Sequence, residues 1–413
     1  MNWYLDTKMN IHIDNHSRIV GKGMAIGEIE RKISDTKAET LQISAYGAVG
    51  NRVTYPSRAL PYLNYPDDEA FDTVGLFEKV ARSLGIRFFI YINTRGFLLD
   101  KDHIDWIQRD AAGAGSNFRD GNDMCCRAAA DGSGYLETIL LPLLCELTEV
   151  YQPDGFWVDG DHAKSETCYC PNCVKAWQPV QNEKPPQNPA DPGWSHWYQI
   201  NATRRDEYRR MMARAVHAIK ADTLYCSNHS YWNVYTPSRR NIDPRLPESW
   251  VGYTSADLSH GDAITQTRLS AMQLSSLAGT GHDIMHLVGE RISQRRFLQQ
   301  GALTVSSGSP WFVWASSSFV DQPDIQERVE YCTAFIRDRE SVLGRSTSAN
   351  PVAVLVSESE WEAARVNQKP FTRIRQAIVT ALSLQDYGFP VDIITPIPDV
   401  LCTLHNVYNQ PLN

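Results

Sequence analysis

The chain has 413 residues, with 40 Lys and Arg against 48 Asp and Glu and a formal net charge of −8. A surplus of acid argues against nucleic acid or an anionic membrane as the main partner, and no apolar run is long enough to span a bilayer. The length accommodates one large barrel plus a partial second domain. Residues Met1 to Asp6 lack a basic n-region and an apolar h-region, so the expectation is a cytoplasmic protein without a secretory signal.

Strand-like and helix-like runs alternate for some three hundred residues. Met9–Asp14 reads as the first strand and Leu41–Tyr46 as the second. Val74–Leu84 reads as a helix, with Leu76, Val80 and Leu84 on one face and Gly85 as its stop. Ile86–Ile92 is the third strand. Leu136, Ile139, Leu140, Leu143, Leu144, Leu147 and Val150 recur at helical spacing, and Pro153-Asp154-Gly155 then turns the chain into a fourth strand, Phe156–Asp159. Gln178–Trp197 is rich in Pro, Asn and Trp and reads as a long loop. A charged amphipathic helix spans Tyr198–Ile219.

Thr223–Ser227, Trp250–Thr254, Asp283–Val288 and Pro310–Ala315 complete a set of eight strand candidates. Eight strands mostly separated by helices predict an α/β fold, a (β/α)8 TIM barrel over residues 1–345. A doubly wound open sheet competes, but no glycine-rich phosphate loop follows the first strand. Near Asn350 the pattern restarts. Val352–Val356, Ile374–Leu384 and Val391–Ile394 read as a β-α-β start of a partial second α/β domain over residues 346–413.

In a parallel barrel, strand C-termini converge on one mouth. The tips here carry His12, Asp14 and His16, then Gln42, Ser44 and Tyr46, then Tyr91 and Asn93. The fourth offers Trp157, Asp159, Asp161 and His162. Later strands offer Asn228, His229, Trp232, Asp257, His260, Asp262, His286, Glu290, Trp311 and Trp314. Asp is a common helix N-cap, so any one of these is readily structural, but recurrence on nearly every strand predicts a polar binding mouth. The chain's 11 Trp and 18 Tyr read first as core packing, and alternatively as stacking surfaces for sugar rings.

Asp159 stands out. A retaining glycosidase needs an ionised carboxylate beside the anomeric carbon and a protonated acid beside the leaving oxygen. Asp159, on a strand tip between Trp157 and Gly160, fits the first role. Asp161, Asp257, Asp262 and Glu290 compete for the second, which requires a carboxyl with a raised pKa. The expected substrate contacts are His12, Asp14, Tyr46, Asn93, Trp157, Asn228, His229, His286 and Trp314. A metal-dependent hydrolase using His12, Asp14 and His16 is a rival reading, although strand alternation alone puts those three on one face. A carbohydrate-binding barrel without catalysis is another.

Nine Cys is an odd number. Cys168-Tyr169-Cys170-Pro171-Asn172-Cys173 is a C-x-C-x-x-C spacing that suits reduced thiols around a metal better than a disulfide framework. Three thiolates need a fourth ligand for tetrahedral zinc. Cys125 and Cys126, at the opposite end of the same β-α-β unit, are both in place to supply it.

Trp157-Val158-Asp159-Gly160 resembles the strand-four W-F-D-G segment of the family 29 α-L-fucosidases, which implies a nucleophile role for Asp159 and a sugar-binding role for His12. The block from Trp157 to Cys173 is also similar to family 42 β-galactosidases, which carry W-x-x-D-N-E shortly before C-Y-C-x-x-C, with an earlier Cys completing a zinc site. That likeness implies Cys126, Cys168, Cys170 and Cys173 as ligands of a structural zinc, with no cofactor for catalysis. It also sets Asp161 at or next to the acid/base Glu, with Gly160 in place of Asn. Over most of its length the chain resembles the group called hypothetical glycosyl hydrolase 6, related to the family 151 fucosidases. Its barrel is followed by a flavodoxin-like domain similar to the β-galactosidase trimerisation domain, and Val352–Ile394 resembles the start of that domain. The resemblance implies a glycoside or oligosaccharide substrate, α-L-fucoside before β-galactoside, and a homo-oligomer, with neither nucleic acid nor membrane as partner.

Overall fold

The computed structural model describes residues 7–15, 19–47, 52–65, 71–96, 102–115, 117–118, 121–160, 167–177, 184–230, 253–257, 281–288, 292–306, 309–315, 319, 322–339, 352–355, 366–367, 372–389 and 391–394. Eight strands in these residues pair in parallel: β1 Met9–Ile13, β2 Thr40–Tyr46, β3 Arg87–Asn93, β4 Gly155–Asp159, β5 Leu224–Ser230, β6 Tyr253–Asp257, β7 Gly281–Val288 and β8 Trp311–Ala315. Each pairs with its neighbours in chain order, and β8 returns to β1, which closes the ring.

Helices follow six of the strands: α1 Ile26–Asp35, α2 Thr73–Leu84, α3 Leu141–Tyr151, then α4 Pro171–Trp177 with α5 Trp194–Ile219, α6 Gln294–Ser306 and α7 Pro323–Arg337. The connections after β5 and β6 run through residues 231–252 and 258–280, outside the described residues. The fold is thus a parallel TIM-barrel-like α/β ring whose strand–helix repeat is described for six connections. Among the described residues no helix is long and apolar enough to cross a membrane.

Local chemistry accounts for the elements. Asp72 accepts a hydrogen bond from Gly75 N at 2.7 Å, capping α2, and Gly85 ends that helix in the left-handed region. Leu143, Leu144 and Leu147 of α3 are fully buried, each contributing about 1.5–3 kcal/mol of apolar burial. Asp154, in the turn before β4, accepts from Arg82, Arg87 and the Phe88 amide, which ties the start of β4 to β3. The stretch expected to be a loop to Trp197 becomes helical from Trp194, because Trp194 and Trp197 bury against the thiol cluster described below.

Period-two alternation sorts the strands into two faces. Ile11, Ile13, Leu41, Ile43, Phe88, Ile90, Phe156, Val158, Trp311 and Val313 join the core shared with the helices. Phe89, Tyr91, Trp157, Cys226, Met285 and Phe312 form a separate cluster inside the ring. Between β1 and β2 the interior is polar, with Thr40 Oγ1 donating to Asn10 Oδ1 at 2.7 Å.

Beyond the ring, β9 Val352–Leu355 and β10 Val391–Ile394 pair in parallel around α8 Thr372–Asp386. Ala381, Val391 and Ile393 make their own small core with Val352, Val354, Ile378 and Leu382.

Candidate functional site

The β4 sequence Gly-Phe-Trp-Val-Asp builds the centre of the mouth. Gly155 lies against the Phe89 ring, where an added Cβ would come within 2.7 Å of it. This close fit brings β4 into register with β3, pairing Tyr91 with Trp157 and Asn93 with Asp159. Trp157 stacks on Tyr91 at 5.3 Å between ring centroids and meets Phe312 edge-on at 6.0 Å. Asp159 sits above this floor, half-buried.

Every part of Asp159 is held. Its Oδ2 accepts from the Tyr91 hydroxyl at 2.6 Å and from Asn93 Nδ2 at 3.2 Å, and its Oδ1 from Gly160 N at 2.7 Å. Its carbonyl accepts from Thr94 N and Thr94 Oγ1, both at 2.9 Å. Burial, and then the Asp159 charge, push the Tyr91 phenol well above its ordinary range, so Tyr91 keeps its proton and serves as a donor. Gly160 follows at φ 89°, in the left-handed region that suits glycine.

His12 is 1% exposed and lies edge-on to Tyr91 at 5.2 Å and beside Trp314 at 5.7 Å. Gln42 Nε2 donates to His12 Nδ1 at 2.7 Å, which leaves the ring proton on Nε2 facing Ser44 Oγ at 3.3 Å. Both His12 nitrogens are thus engaged by neighbouring side chains, which does not match the expected use of His12 as a metal ligand. Asp14 is half-buried and near enough to raise the Tyr91 pKa further. Trp314 is half-buried at the same rim. The structure therefore brings together His12, Asp14, Asn93, Trp157, Asp159 and Trp314.

Four expected residues go elsewhere. A register shift between Ser44 and Tyr46 reverses the alternation of β2. Tyr46 consequently turns under the helices, where its hydroxyl meets that of Tyr135 at 3.2 Å. His286 is one residue past Met285, which faces the ring interior, so His286 faces the helices and accepts from Trp311 Nε1 at 3.2 Å. Burial lowers its pKa to about 3. Trp311 lies on the same outer face, against Phe297 at 4.6 Å. The fourth is Cys126, whose Sγ turns to the Thr94 carbonyl at 3.5 Å, away from the other thiols.

Cys125 takes its place. The Sγ atoms of Cys125, Cys168, Cys170 and Cys173 all lie within 4.8 Å of one another, and all four residues are buried. Cys125 and Cys173 are 3.7 Å apart, against about 3.8 Å expected for two ligands of tetrahedral zinc with 2.3 Å bonds. The four thiols thus fit the metal in number, chemistry and spacing. Pro171 opens α4, and Cys173 N and Val174 N both donate to Cys170 O at 3.0 Å, so the loop is turned by its own backbone.

Arg127 is buried beside the thiols. Burial works against its charge, but the four sulfurs outweigh burial and hold it protonated. Hydrogen bonds from the other three thiols pull Cys125 well below the ordinary thiol range, while bonds with Cys125 and Cys168 push Cys170 up. Cys173 is pushed up as well, chiefly by burial, so that four thiolates together would need a cation among them.

Asp161, Asp262 and Glu290 lie outside the described residues, as do His16, His162, Trp232 and His260. Asn228, His229 and Asp257 are placed by backbone near the C-terminal ends of β5 and β6, with side chains outside the described residues. Sequence reasoning missed Thr94, Arg95, Asp123 and Arg127. The only signal for the first two is the dense polar run Asn93-Thr94-Arg95-Gly96 directly after a strand.

Fold and site together define a parallel β/α barrel whose C-terminal mouth holds a fixed carboxylate among aromatic rings, with a four-thiol centre beside it. No protein-family model matches the chain, and no curated protein matches it in sequence. Among solved structures it is similar to α-L-fucosidase isoenzyme 2 from Paenibacillus thiaminolyticus, with a TM-score of 0.72 at 15% identity, covering 94% of this chain and 58% of that one. It is also similar to the β-galactosidase of the psychrophilic Marinomonas ef1, with a TM-score of 0.66 at 10% identity, covering 94% of this chain and 70% of that one. The β-galactosidase of the haloarchaeon Halorubrum lacusprofundi gives a TM-score of 0.62 at 14% identity, covering 95% of this chain and 67% of that one. At 10–15% identity the likeness is one of fold, shared with these fucosidase and β-galactosidase structures, and the chain spans about 58% of the length of that fucosidase.

Proposed function

We propose that the chain is a retaining glycoside hydrolase of (β/α)8 type that removes a terminal sugar, with α-L-fucosides as its preferred substrates and Asp159 as the nucleophile. The observation that carries this reading is the Asp159 carboxylate, fixed at a strand tip by Tyr91, Asn93 and Gly160 N above a floor of Trp157 and Phe312. In the first step the carboxylate attacks the anomeric carbon, the glycosidic C–O bond breaks, and an acid protonates the leaving oxygen. Water then attacks the glycosyl ester, giving its proton to the same residue, and Asp159 leaves. Asp161, Asp257, Asp262 and Glu290 are the candidates for that acid.

Trp314, half-buried at the rim, offers an apolar ring face to the sugar, while Trp157, 1% exposed, is the packed floor beneath it. His12 and Asp14 would hold the sugar's hydroxyls. Cys125, Cys168, Cys170 and Cys173 would hold a zinc ion, whose part as a closed four-thiolate site is structural. The β9–α8–β10 unit would begin a trimerisation-type domain of a homo-oligomer. A β-galactosidase-like specificity is the second reading, favoured by the thiol centre that follows β4.

Replacing Asp159 by Gly tests the reading. Turnover of aryl α-L-fucosides should fall by about 10⁴-fold or more, as on loss of other catalytic nucleophiles, and added azide should restore it as a glycosyl azide. Unchanged turnover would refute the nucleophile, and turnover of aryl β-D-galactosides alone would transfer the specificity to the second reading.

A further inference from the structure

The segment Asp123–Cys126 runs between the carboxylate and the thiol centre and touches the supports of both. Asp123 grips Arg95 with both oxygens, Nε to Oδ1 at 2.6 Å and NH2 to Oδ2 at 2.8 Å. The two side chains are 1% and 10% exposed, so the pair is shielded from water. Met124 N donates to Arg95 O at 2.8 Å, Cys125 joins the thiols, and the Cys126 thiol turns to Thr94 O. Four consecutive residues therefore divide between the metal-ligand cluster and the turn Asn93–Arg95.

That turn is what holds Asp159. Arg95 N donates to Asn93 Oδ1 at 2.9 Å, which fixes the amide so that Nδ2 faces the Asp159 carboxylate. Thr94 grips the Asp159 carbonyl twice. The Arg95 stem packs so close to Gly160 that an added Cβ would come within 2.9 Å of Arg95 Cγ.

We propose that Arg95 and Asp123 are positioning residues for Asp159, and that they couple the geometry of the four-thiol centre to that carboxylate through Asn93 and Thr94. The thiol centre then governs where the nucleophile points, beyond any effect on stability. The kinetic part of this proposal rests on the glycosidase reading above, and the mechanical part does not.

Deuterium exchange on the full chain tests the mechanical part, comparing zinc-loaded protein with chelated protein and with Asp123→Asn. Coupling requires peptides covering 93–96 and 156–160 to exchange at least about threefold faster in both cases, with β1 unchanged. It also requires Asp123→Asn to keep its zinc and to lose about tenfold or more in kcat with KM within about twofold, since small misplacements of a reacting group act on the chemical step. Arg95→Lys, which replaces a two-pronged grip by a point charge, carries the same expectation should Asp123→Asn fail to fold. Exchange that rises only in 167–177, rises uniformly, or does not change overturns the coupling, as does an unaltered kcat in a folded variant of a wild type that turns over glycosides. A wild type that turns over no glycoside sinks the glycosidase reading instead, while local exchange at 93–96 and 156–160 would still uphold the coupling.

Discussion

Replacing Cys125 and Cys126 one at a time by Ser separates two neighbours that sequence spacing treats alike. Cys125 Sγ lies 3.7 Å from Cys173 Sγ, whereas Cys126 Sγ contacts backbone carbonyls at 3.5 and 3.9 Å. Structural zinc sites contribute roughly 10–16 kcal/mol of apparent binding free energy, so removing one ligand of four should cost about 2.5–4 kcal/mol. At about 1.4 kcal/mol per factor of ten, the affinity falls by two to three orders of magnitude. Because bound metal stabilises only the folded chain, the same amount is lost from stability when zinc is in modest excess. Cys126→Ser exchanges one weak thiol donor for a hydroxyl and should cost about 1 kcal/mol or less. Zinc per chain by elemental analysis, with thermal unfolding before and after chelation, reads both effects. Wild type and Cys126→Ser should carry one zinc and lose stability on chelation. Cys125→Ser should carry less than one and respond little to the chelator. Retention of zinc by Cys125→Ser together with its loss from Cys126→Ser would refute the assignment, and a wild type without zinc would remove it altogether.

His286 gives a signed pH expectation. Burial holds its folded pKa at about 3, below the unfolded value of about 6.5. Between those values the unfolded chain binds one more proton, so stability falls on acidification by about 1.4 kcal/mol per pH unit from this residue alone. Urea unfolding at pH 7, 6 and 5 should show a steeper loss for wild type than for His286→Gln, and parallel lines would contradict the burial. At Gly160, φ is +89° and an added Cβ would meet Thr94 Oγ1 at 2.8 Å. Gly160→Ala should therefore lower stability by about 1–3 kcal/mol and reduce kcat for the aryl glycoside, and a variant with wild-type melting temperature and kcat would show that the tip tolerates displacement.

The barrel strands and the place of Asp159 at a strand tip were legible because both depend on short-range pattern. A buried strand reads as an apolar run, and a carboxylate directly after it is visible at any distance from its partners. The errors at Tyr46 and His286 share one cause. In a strand the facing side changes at every residue, so a single register shift in β2, or a one-residue miscount in β7, sends a polar tip into the helix layer. Trp157 and Asp159 escaped this because β4 is regular from Gly155 to its tip.

By itself the sequence determined the alternating α/β pattern, the strand-four carboxylate and three of the four thiols, since each follows from residue type and local spacing. Only the tertiary structure decided that Cys125 completes the thiol cluster, that Tyr91 and Asn93 fix Asp159, and that Asp123 reaches Arg95. Those contacts join residues 28 to 68 positions apart. Chain proximity carries no information at that range: the pairing of parallel strands brings Tyr91 and Asn93 to Asp159, and the packing of residues 123–126 against the turn after β3 and against the C-x-C-x-x-C loop brings Asp123 and Cys125 to their partners.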